Sequence, residues 1–371
     1  MATDENAGRI LAGVGQGGMR SARSALIALL PALVLIGCCA LAAPAMRSPG
    51  PEGLSDQRAL IEDTFAGTDL RSDSQALADF QSGLRDSVSA AWWGWDEVDA
   101  TASLQASFDS GARVIVVPAM GKPWTTRPLF VRSGSTIVFQ EGAEITAMKG
   151  SFRGIDNALF SLQDAENVTL SGYGARLSMR KIDYRESPYE HSEWRHAIQL
   201  YGCARVTVLG LQIESSGGDG VYLGRGELTF NEAITLRDLR IRDNYRQGIS
   251  VISAQDLRIE NVEISSTEGT LPSAGIDFEP NCPDERIVSC TVANSTIRCN
   301  AGPGILVNLH AFTKVSQAVE IRVEHSTVSN YPLALMLVRA GKARGRIELL
   351  DTSVSGLQIV GFGSGVKLVR L

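Results

Sequence analysis

The chain has 371 residues, which is enough for one large domain or two ordinary ones. Its 37 glycines, few aromatic residues and short β-branched runs are typical of many short strands joined by tight turns, not of long helices. A formal net charge of −6 at pH 7 makes it a poor candidate for binding nucleic acid.

The first 37 residues are predicted to be an export signal and not part of the fold. Arg20 and Arg23 precede an apolar run, residues 25–36, that is too short to span a membrane comfortably. The run leads into the sequence LIGC, which resembles a bacterial lipobox. That resemblance implies that Cys38 is acylated and becomes the new N-terminus, so a lipid anchor is the only membrane contact expected.

Two features of this signal stay open. Ordinary signal peptidase would instead cut after Ala42 or Ala45, which both follow small-x-small patterns. The start codon is either Met1 or Met19, since Met19 gives a signal of more usual length. Every version predicts export, with a product that is lipid-anchored at the cell envelope, periplasmic or secreted. Removal of residues 1–37 leaves 32 basic and 39 acidic residues, a net charge of −7.

Beyond the N-terminal pair, the chain has four cysteines that lack CxxC spacing and a nearby histidine pattern: Cys203, Cys282, Cys290 and Cys299. A zinc site is therefore not predicted. They are expected to be small buried core residues, although export would permit a disulfide bond among the last three.

Residues 38–92 are expected to lie outside the main domain. Residues 46–60 are rich in Pro, Gly and Ser and are interpreted as a tether, and the following residues to about 88 show a weak helical pattern. A strand is predicted at residues 113–118.

A short amphipathic helix is predicted within residues 99–111. Asp99 or Thr101 would cap its N-terminus, and Gly111 would end it. Leu104 and Phe108 share one face of this helix, since they follow the i, i+4 spacing.

The rest of the sequence repeats with a nearly constant period of about 28 residues. The clearest copies read Gly-apolar-x-apolar and begin at Gly220, Gly248, Gly275 and Gly304. A copy without glycine is placed at Leu333, one period further on, and another begins upstream at Ala197 after a shorter step. One or two short alternating strands follow each copy, for example residues 206–208 and 211–213.

This repeat predicts a right-handed parallel β-helix over residues 93–371. A single three-strand turn cannot bury its apolar side, but stacked turns share a continuous core and pair their strands. The predicted helix would cap the open N-terminal end, which otherwise exposes strand edges and core. Propeller repeats are longer, and β-sandwiches do not keep a fixed period.

From about Trp93 to the C-terminus the chain resembles the pectin-lyase-like superfamily of right-handed β-helices. The segment DATASLQASFDSGARVIVVPAMG, which begins at Asp99, is similar to the start of many carbohydrate-active proteins of this fold. The resemblance implies that the partner is a polysaccharide. It does not imply the chemistry, because the fold hosts hydrolases, lyases, epimerases and binding proteins.

The sequence also departs from two groups within this superfamily. Polygalacturonase-type hydrolases carry Asn-Thr-Asp, Asp-Asp, Gly-His-Gly and Arg-x-Lys patches, and epimerase-type enzymes carry Asp-Pro-His; none of these occurs here. The site must therefore be argued from the residues themselves.

The register of the repeat stacks equivalent residues into columns on one outer face, because alternate side chains of a strand point outward. One column contains Gln199, Tyr222, Ser250, Asp277 and Leu306. The next contains Tyr201, Gly224, Ile252, Glu279 and Asn308. The residues just before these strands stack as His196, Asp219, Gln247 and Ala274.

The acidic residues of these columns are the candidate catalytic groups. Asp277 and Glu279 lie two apart on one strand, so their bases are about 6.7 Å apart, within the range of inverting glycosidases. Asp219, two turns away, is the third candidate. The competing interpretation is that these are ordinary solvated charges.

Six residues around this face are predicted to bind substrate: Tyr222, Arg246, Gln247, His196, Arg195 and Trp194. The last two end a long insertion, residues 181–196, that is expected to form a lid. Aromatic rings stack on sugars, and arginine pairs with carboxylates.

Three functions follow as hypotheses. The first is a glycoside hydrolase without a cofactor, acting through Asp277 and Glu279. The second is a polysaccharide lyase for a uronic-acid polymer, in which Asp277, Glu279 and Asn281 hold Ca²⁺ through hard oxygen ligands. The third is a non-catalytic surface protein that binds carbohydrate.

Overall fold

The computed structural model describes residues 51–330, 333–338, 341–361 and 365–371. The predicted export signal, Cys38 and residues 46–50 of the predicted tether lie outside the described residues. None of the helices in the described part of the chain is long and apolar enough to cross a membrane.

Three long parallel sheets dominate the structure, and their strands are numbered β1 to β29 in chain order. Sheet A has eleven strands: β1 (Ser87–Ser89), β2 (Val114–Val117), β5 (Thr136–Phe139), β8 (Glu166–Ser171), β11 (Ala204–Leu209), β14 (Asn231–Arg237), β17 (Ala254–Glu260), β20 (Ile287–Ala293), β23 (Val319–Glu324), β26 (Gly345–Leu350) and β29 (Val366–Arg370).

Sheets B and C have nine strands each. Sheet B contains β3 (Trp124–Thr126), β6 (Glu144–Ala147), β9 (Arg176–Ser178), β12 (Gln212–Glu214), β15 (Arg240–Arg242), β18 (Glu263–Ser265), β21 (Thr296–Arg298), β24 (Thr327–Val328) and β27 (Ser353–Val354). Sheet C contains β4 (Leu129–Phe130), β7 (Phe160–Gln163), β10 (Ile198–Tyr201), β13 (Val221–Gly224), β16 (Ile249–Val251), β19 (Ile276–Phe278), β22 (Ile305–Asn308), β25 (Leu335–Val338) and β28 (Leu357–Val360). Each full turn of the chain runs from sheet C to sheet A to sheet B.

The pairing register confirms the predicted repeat over four turns of sheet C. Val221 lies beside Ile249, Ile249 beside Ile276, and Ile276 beside Ile305. The upstream copy also fits, because Ile198 lies beside Val221. The inward residues of these strands are almost fully buried and form one continuous core.

The predicted spacing between Gly304 and the next copy of the repeat is one residue too short. Ile305 lies beside Leu335, so Ala334, not Leu333, stands opposite Gly304. The segment Leu-Ala-Leu-Met-Leu is apolar at every position, so alternation could not distinguish the two registers. A one-residue slip exchanges the inward and outward faces, and the structure places Leu335 and Leu337 inside.

The predicted N-terminal cap is confirmed as α3 (Thr101–Phe108), which follows α1 (Pro51–Thr64), α2 (Ser74–Gln81) and a 3₁₀ turn at Ala90–Trp93. Leu104 and Phe108 are buried, and the Phe108 ring lies 6.1 Å from that of Phe160. The Asp99 carboxylate accepts a hydrogen bond from the Thr101 backbone N–H at 3.1 Å. The helix therefore covers the core at the open end.

The boundaries of the β-helix differ from those predicted. Residues 51–60 do not form a tether, because they belong to α1. The buried side chain of Gln57 donates hydrogen bonds to the carbonyls of Phe139 and Tyr173, which anchors α1 on the solenoid. Strand β1 pairs with β2, so the β-helix begins before Trp93.

The cysteines of the described residues form no disulfide bond. Cys203 and Cys290 are buried, as expected of small core residues. Burial raises the pKa of the Cys203 thiol to about 11, so it is not a reactive thiolate.

Candidate active site

A cluster of polar side chains lies on the outer wall of sheet C and in the turns that lead into its strands. Tyr222 lies beside Ser250, and Ser250 beside Asp277, so the predicted outward column exists. Asp219 and Gln247 sit at the preceding turns. Ser250, Asp277, Asp219 and Gln247 are each at most 1% exposed. These residues therefore lie on one wall, as predicted, but they are buried and not exposed to solvent.

Gln247 fixes the position of the Asp277 side chain. Its amide nitrogen donates to Asp277 Oδ2 at 3.1 Å, and its amide oxygen accepts from the Ala274 backbone N–H at 2.7 Å. Both ends of this fully buried amide are thus engaged within the protein. The predicted substrate-binding role of Gln247 is corrected to a positioning role.

Burial is the main perturbation of the Asp277 side chain. Burial, together with the neighbouring charge of Glu279, raises the pKa of Asp277 well above its ordinary value. Asp277 Oδ1 is buried without a hydrogen-bond partner, whereas Oδ2 accepts from Gln247. A raised pKa favours the protonated form that a general acid needs.

Glu279 is the more exposed carboxyl group of the pair. Its Oε1 accepts a hydrogen bond from Asn308 Nδ2 at 2.9 Å, and its Oε2 lies 3.6 Å from Arg246 Nη2. Its side chain is 14% exposed, whereas Asp277 is covered.

The separation of roughly 6.5–9.5 Å that leaves room for water in inverting glycosidases stays a prediction for the carboxyl groups of Asp277 and Glu279.

Arg246 is the buried counter-ion of the cluster. Its guanidinium lies 3.3 Å from Asp219 Oδ2 and 3.5 Å from Glu193 Oε1, besides its contact with Glu279. Burial alone would lower the pKa of Arg246, but Asp219, Asp277, Glu193 and Glu279 together raise it above its ordinary value. The predicted substrate-binding arginine is thus enclosed by the protein's own carboxylates.

Asp219 and His196 form the end of the cluster nearest the N-terminus. Burial raises the pKa of Asp219 to about 6, against the opposing effect of Arg246. His196 Nδ1 accepts the Asp219 backbone N–H at 3.0 Å, so this nitrogen carries no proton. Burial also lowers the pKa of His196 well below its ordinary value. The 3.4 Å approach of His196 Nδ1 to Asp219 Oδ2 is therefore not an ion pair.

Aromatic rings continue the wall beyond the charged groups. Tyr222 stacks on the His196 ring at 4.5 Å between centroids, and Tyr201 meets Tyr222 edge-on at 5.6 Å. Both tyrosines are partly exposed, and burial raises the pKa of each phenol. They offer apolar ring surface and a neutral hydroxyl, which suits sugar contact.

The long insertion contributes differently from what the sequence predicts. Arg195 is buried, and its guanidinium donates to the carbonyls of Phe152 and Arg153 and lies 5.4 Å from the Tyr184 ring. Its predicted substrate-binding role is therefore wrong in this arrangement, since it holds the loop together. Trp194 is 43% exposed, so its ring remains accessible.

Glu193 is a site residue that the sequence analysis missed. Besides its contact with Arg246, it accepts a hydrogen bond from Thr270 Oγ1 at 3.2 Å. These contacts join the insertion to the cluster, which agrees with the idea of a covering loop. Glu193 lies outside the repeat, so no periodic signal could have found it.

The predicted Ca²⁺ ligands do not fit a metal site. Burial raises the pKa of Asp277, which disfavours the charged form that Ca²⁺ binds, and the backbone N–H of Asn281 donates to Glu285. The described residues hold no group of three or more His, Cys, Asp or Glu that could bind a metal ion. Arg246 already supplies the positive charge among these carboxylates.

Comparison with known proteins agrees with the architecture. Residues 185–352 match the family model for a right handed beta helix region. No curated protein matches the sequence. An iota-carrageenase complexed to iota-carrageenan fragments is similar in structure, with 13% identity and a TM-score of 0.52, over 68% of this chain and 56% of that one.

Two further solved structures are similar. Tailspike protein gp49 of Acinetobacter baumannii bacteriophage Fri1, a capsular polysaccharide depolymerase, has 12% identity and a TM-score of 0.52, over 77% of this chain and 63% of that one. PfbA, a surface adhesin of Streptococcus pneumoniae, has 12% identity and a TM-score of 0.53, over 76% of each chain. The chain thus spans less than two thirds of the carrageenase and tailspike chains. At these identities the likeness concerns the fold, and the chain is a right-handed parallel β-helix protein.

Proposed function

We propose that this protein is a polysaccharide-active enzyme that hydrolyses glycosidic bonds, with Asp277 as general acid and Glu279 as its carboxylate partner. The carrying observation is a buried carboxyl group with a raised pKa, two residues from a partly exposed carboxyl group on the outer wall of a long solenoid. The structural neighbours named above include proteins that act on carrageenan and on capsular polysaccharide. Export, predicted from the N-terminal signal, would bring the enzyme to such polymers outside the cell.

The arrangement divides the chemical labour between the two carboxyl groups. Burial raises the pKa of Asp277, which favours the protonated form of a general acid, and Gln247 holds its side chain in place. In the bound complex Asp277 donates its proton to the glycosidic oxygen. The bond from that oxygen to the anomeric carbon breaks, a water oxygen bonds to the carbon, and Glu279 takes the water proton. Return of this proton to Asp277 restores the pair.

The same groups favour hydrolysis over elimination. A lyase needs a base that removes the proton at C5 of a uronate. Burial raises the pKa of the Tyr222 phenol, which holds it neutral, and the Nδ1 atom of His196 is occupied by a backbone N–H. Arg195 is buried and bound to carbonyls. None of these three groups is therefore poised as the base for this step.

A binding protein without catalysis is the second candidate. The similarity to the adhesin PfbA and the complete burial of Asp277 favour it, because a substrate reaches Asp277 only after a covering group moves. Binding to a polymer without any product would identify this function.

The test is a polysaccharide panel assayed for reducing ends and for ultraviolet-absorbing unsaturated products. Asp277→Asn and Glu279→Gln should each lower the rate of reducing-end release by at least about a hundredfold. Asp256→Asn and Glu320→Gln are matched controls, because both are exposed carboxylates on sheet A, and they should keep full activity.

Three outcomes would contradict the proposal. Full activity in both site variants would refute the site, and unsaturated products would show a lyase. Binding of the wild-type protein without products would show the non-catalytic alternative. Thermal denaturation of each variant separates loss of chemistry from loss of fold.

A further inference from the structure

The strands of sheet C differ from the others in their charge. None of its nine strands, all of them described, contains a lysine or arginine. The strands of sheets A and B contain eleven, among them Arg176, Arg242 and Arg298. The wall that carries the candidate site is therefore free of strand-borne cations.

Three described arginines near this wall have partners within the protein. Arg246 is enclosed by carboxylates and is 5% exposed, and Arg195 is buried against backbone carbonyls. Arg225, just after β13, forms two hydrogen bonds with the Asp284 carboxylate at 3.1 and 3.2 Å. An anionic sugar would have to compete with these partners for each guanidinium group.

The acidic groups of the cluster outnumber its one cation. Asp219, Glu193 and Glu279 surround Arg246, so the cluster is negative when these carboxylates are ionised. Like charges within a few ångströms of each other repel strongly where little water screens them. A carboxylate or sulfate on the bound sugar would meet this repulsion without compensation.

The unsatisfied polar atoms on the strands of sheet C point to the opposite kind of ligand. Gln199 Oε1 and Asn308 Oδ1 are buried oxygens without a hydrogen-bond donor. An acceptor without a donor is costly when buried, and a sugar hydroxyl supplies that donor. A carboxylate or sulfate only accepts hydrogen bonds and would leave these oxygens unsatisfied.

We propose that this wall binds an uncharged polysaccharide, so that the sugar at Asp277 and Glu279 carries neither carboxylate nor sulfate. Hydroxyl groups pair with the two open amide oxygens, and the rings of Tyr201 and Tyr222 supply the apolar contact. The inference names the substrate class of the proposed enzyme and rests on that function only for the position of the scissile bond.

The experiment is affinity electrophoresis of the full chain in gels that contain paired polymers. The pairs are dextran and dextran sulfate, galactan and polygalacturonate, and hydroxyethyl and carboxymethyl cellulose. At least one neutral polymer should bind about tenfold more tightly than its charged partner, with less than a twofold change up to about 0.5 M NaCl.

A charge added to the wall sharpens the test. Met336 faces outward next to Leu306, which lies beside Asp277, so Met336→Lys places a cation on sheet C. This variant should bind charged polymers more tightly than the wild type does. Thr291→Lys adds the same charge to the outer face of sheet A and should change nothing.

The outcomes separate this inference from the proposed function. Tighter binding of any charged polymer than of its neutral partner, or no binding to any polymer, would overturn the inference. Cleavage of a charged polymer would keep the proposed function and refute the neutral substrate. Binding of a neutral polymer without cleavage would support the neutral ligand and refute the proposed function.

Discussion

The outer faces of sheets B and C belong to the same solenoid and share its turn geometry, yet they treat charge in opposite ways. Sheet B pairs its charges in solvent through arginine–glutamate contacts between neighbouring turns: Glu144–Arg176 at 2.8 Å, Glu214–Arg242 at 2.7 Å and Glu263–Arg298 at 2.6 Å. Sheet C carries no such ladder along its described strands and gathers carboxyl groups around one buried arginine.

The difference shows where the fold gives up stability. The ion pairs of sheet B contribute little, because their arginine side chains are 37–59% exposed and water screens them. Buried charges must be compensated by partners, and in the sheet C cluster Arg246 is the counter-ion of three carboxylates while burial raises the pKa of Asp277. An arrangement that costs stability on only one wall is expected of a functional site.

The largest effect is expected from removing the buried cation. Arg246→Met leaves Asp219, Glu193 and Glu279 together without a counter-ion, and should lower the free energy of unfolding by about 3–5 kcal/mol. Arg242→Met is the matched change on sheet B. Its side chain is 59% exposed, against 6% for Arg246, so the loss should stay below about 1 kcal/mol. Urea denaturation measures both, and equal losses would abolish the contrast between the walls.

An intermediate effect on the free energy of unfolding is expected from the titration of Asp219. Its pKa rises from 3.8 in the unfolded chain to about 6 in the fold, so the folded state binds this proton more tightly. The resulting stabilisation is complete below pH 4 and is lost as the pH rises through 6. Asp219→Asn cannot lose a proton, so its free energy of unfolding should rise by about 2 kcal/mol relative to the wild type between pH 4 and 7.

Chemical denaturation at several pH values would check this, with the exposed Asp256→Asn on sheet A as the control. A difference between wild type and Asp219→Asn that stays constant with pH would show that burial does not perturb Asp219.

The smallest effect is expected on sheet B. Glu144→Gln removes the contact with Arg176, in which both side chains are about 40% exposed. The free energy of unfolding should fall by less than about 1 kcal/mol, and polysaccharide cleavage should be unaffected. A marked loss of activity would place a functional surface on sheet B and contradict the assignment to sheet C.

Much of the fold could be predicted from the sequence, because residues one period apart occupy equivalent positions in neighbouring turns of a solenoid. Glycine-led copies with inward apolar residues set the register from Val221 to Ile305. The same reasoning brought Asp277 and Tyr222 into one column. It failed at Leu333, where every neighbouring residue is apolar, and at residues 51–60, where composition suggested a tether and packing of Gln57 favoured a helix.

The roles of individual side chains were less accessible. Arg195 and Gln247 have the chemistry of substrate-binding residues, but their donors are taken by backbone carbonyls and by Asp277. Glu193 lies in the insertion, where no repeat constrains its position, and only the folded loop brings it to Arg246.

The sequence shows strand alternation and a nearly constant turn length. These two features determine which side chains share a wall, because they leave the backbone little freedom. Folding in three dimensions sets the rest: which of those side chains are buried, which carboxyl group has a raised pKa and which arginine already has carboxylate partners. These properties depend on distances between side chains from different turns and on the loop that covers them, and neither is encoded in the period of the repeat.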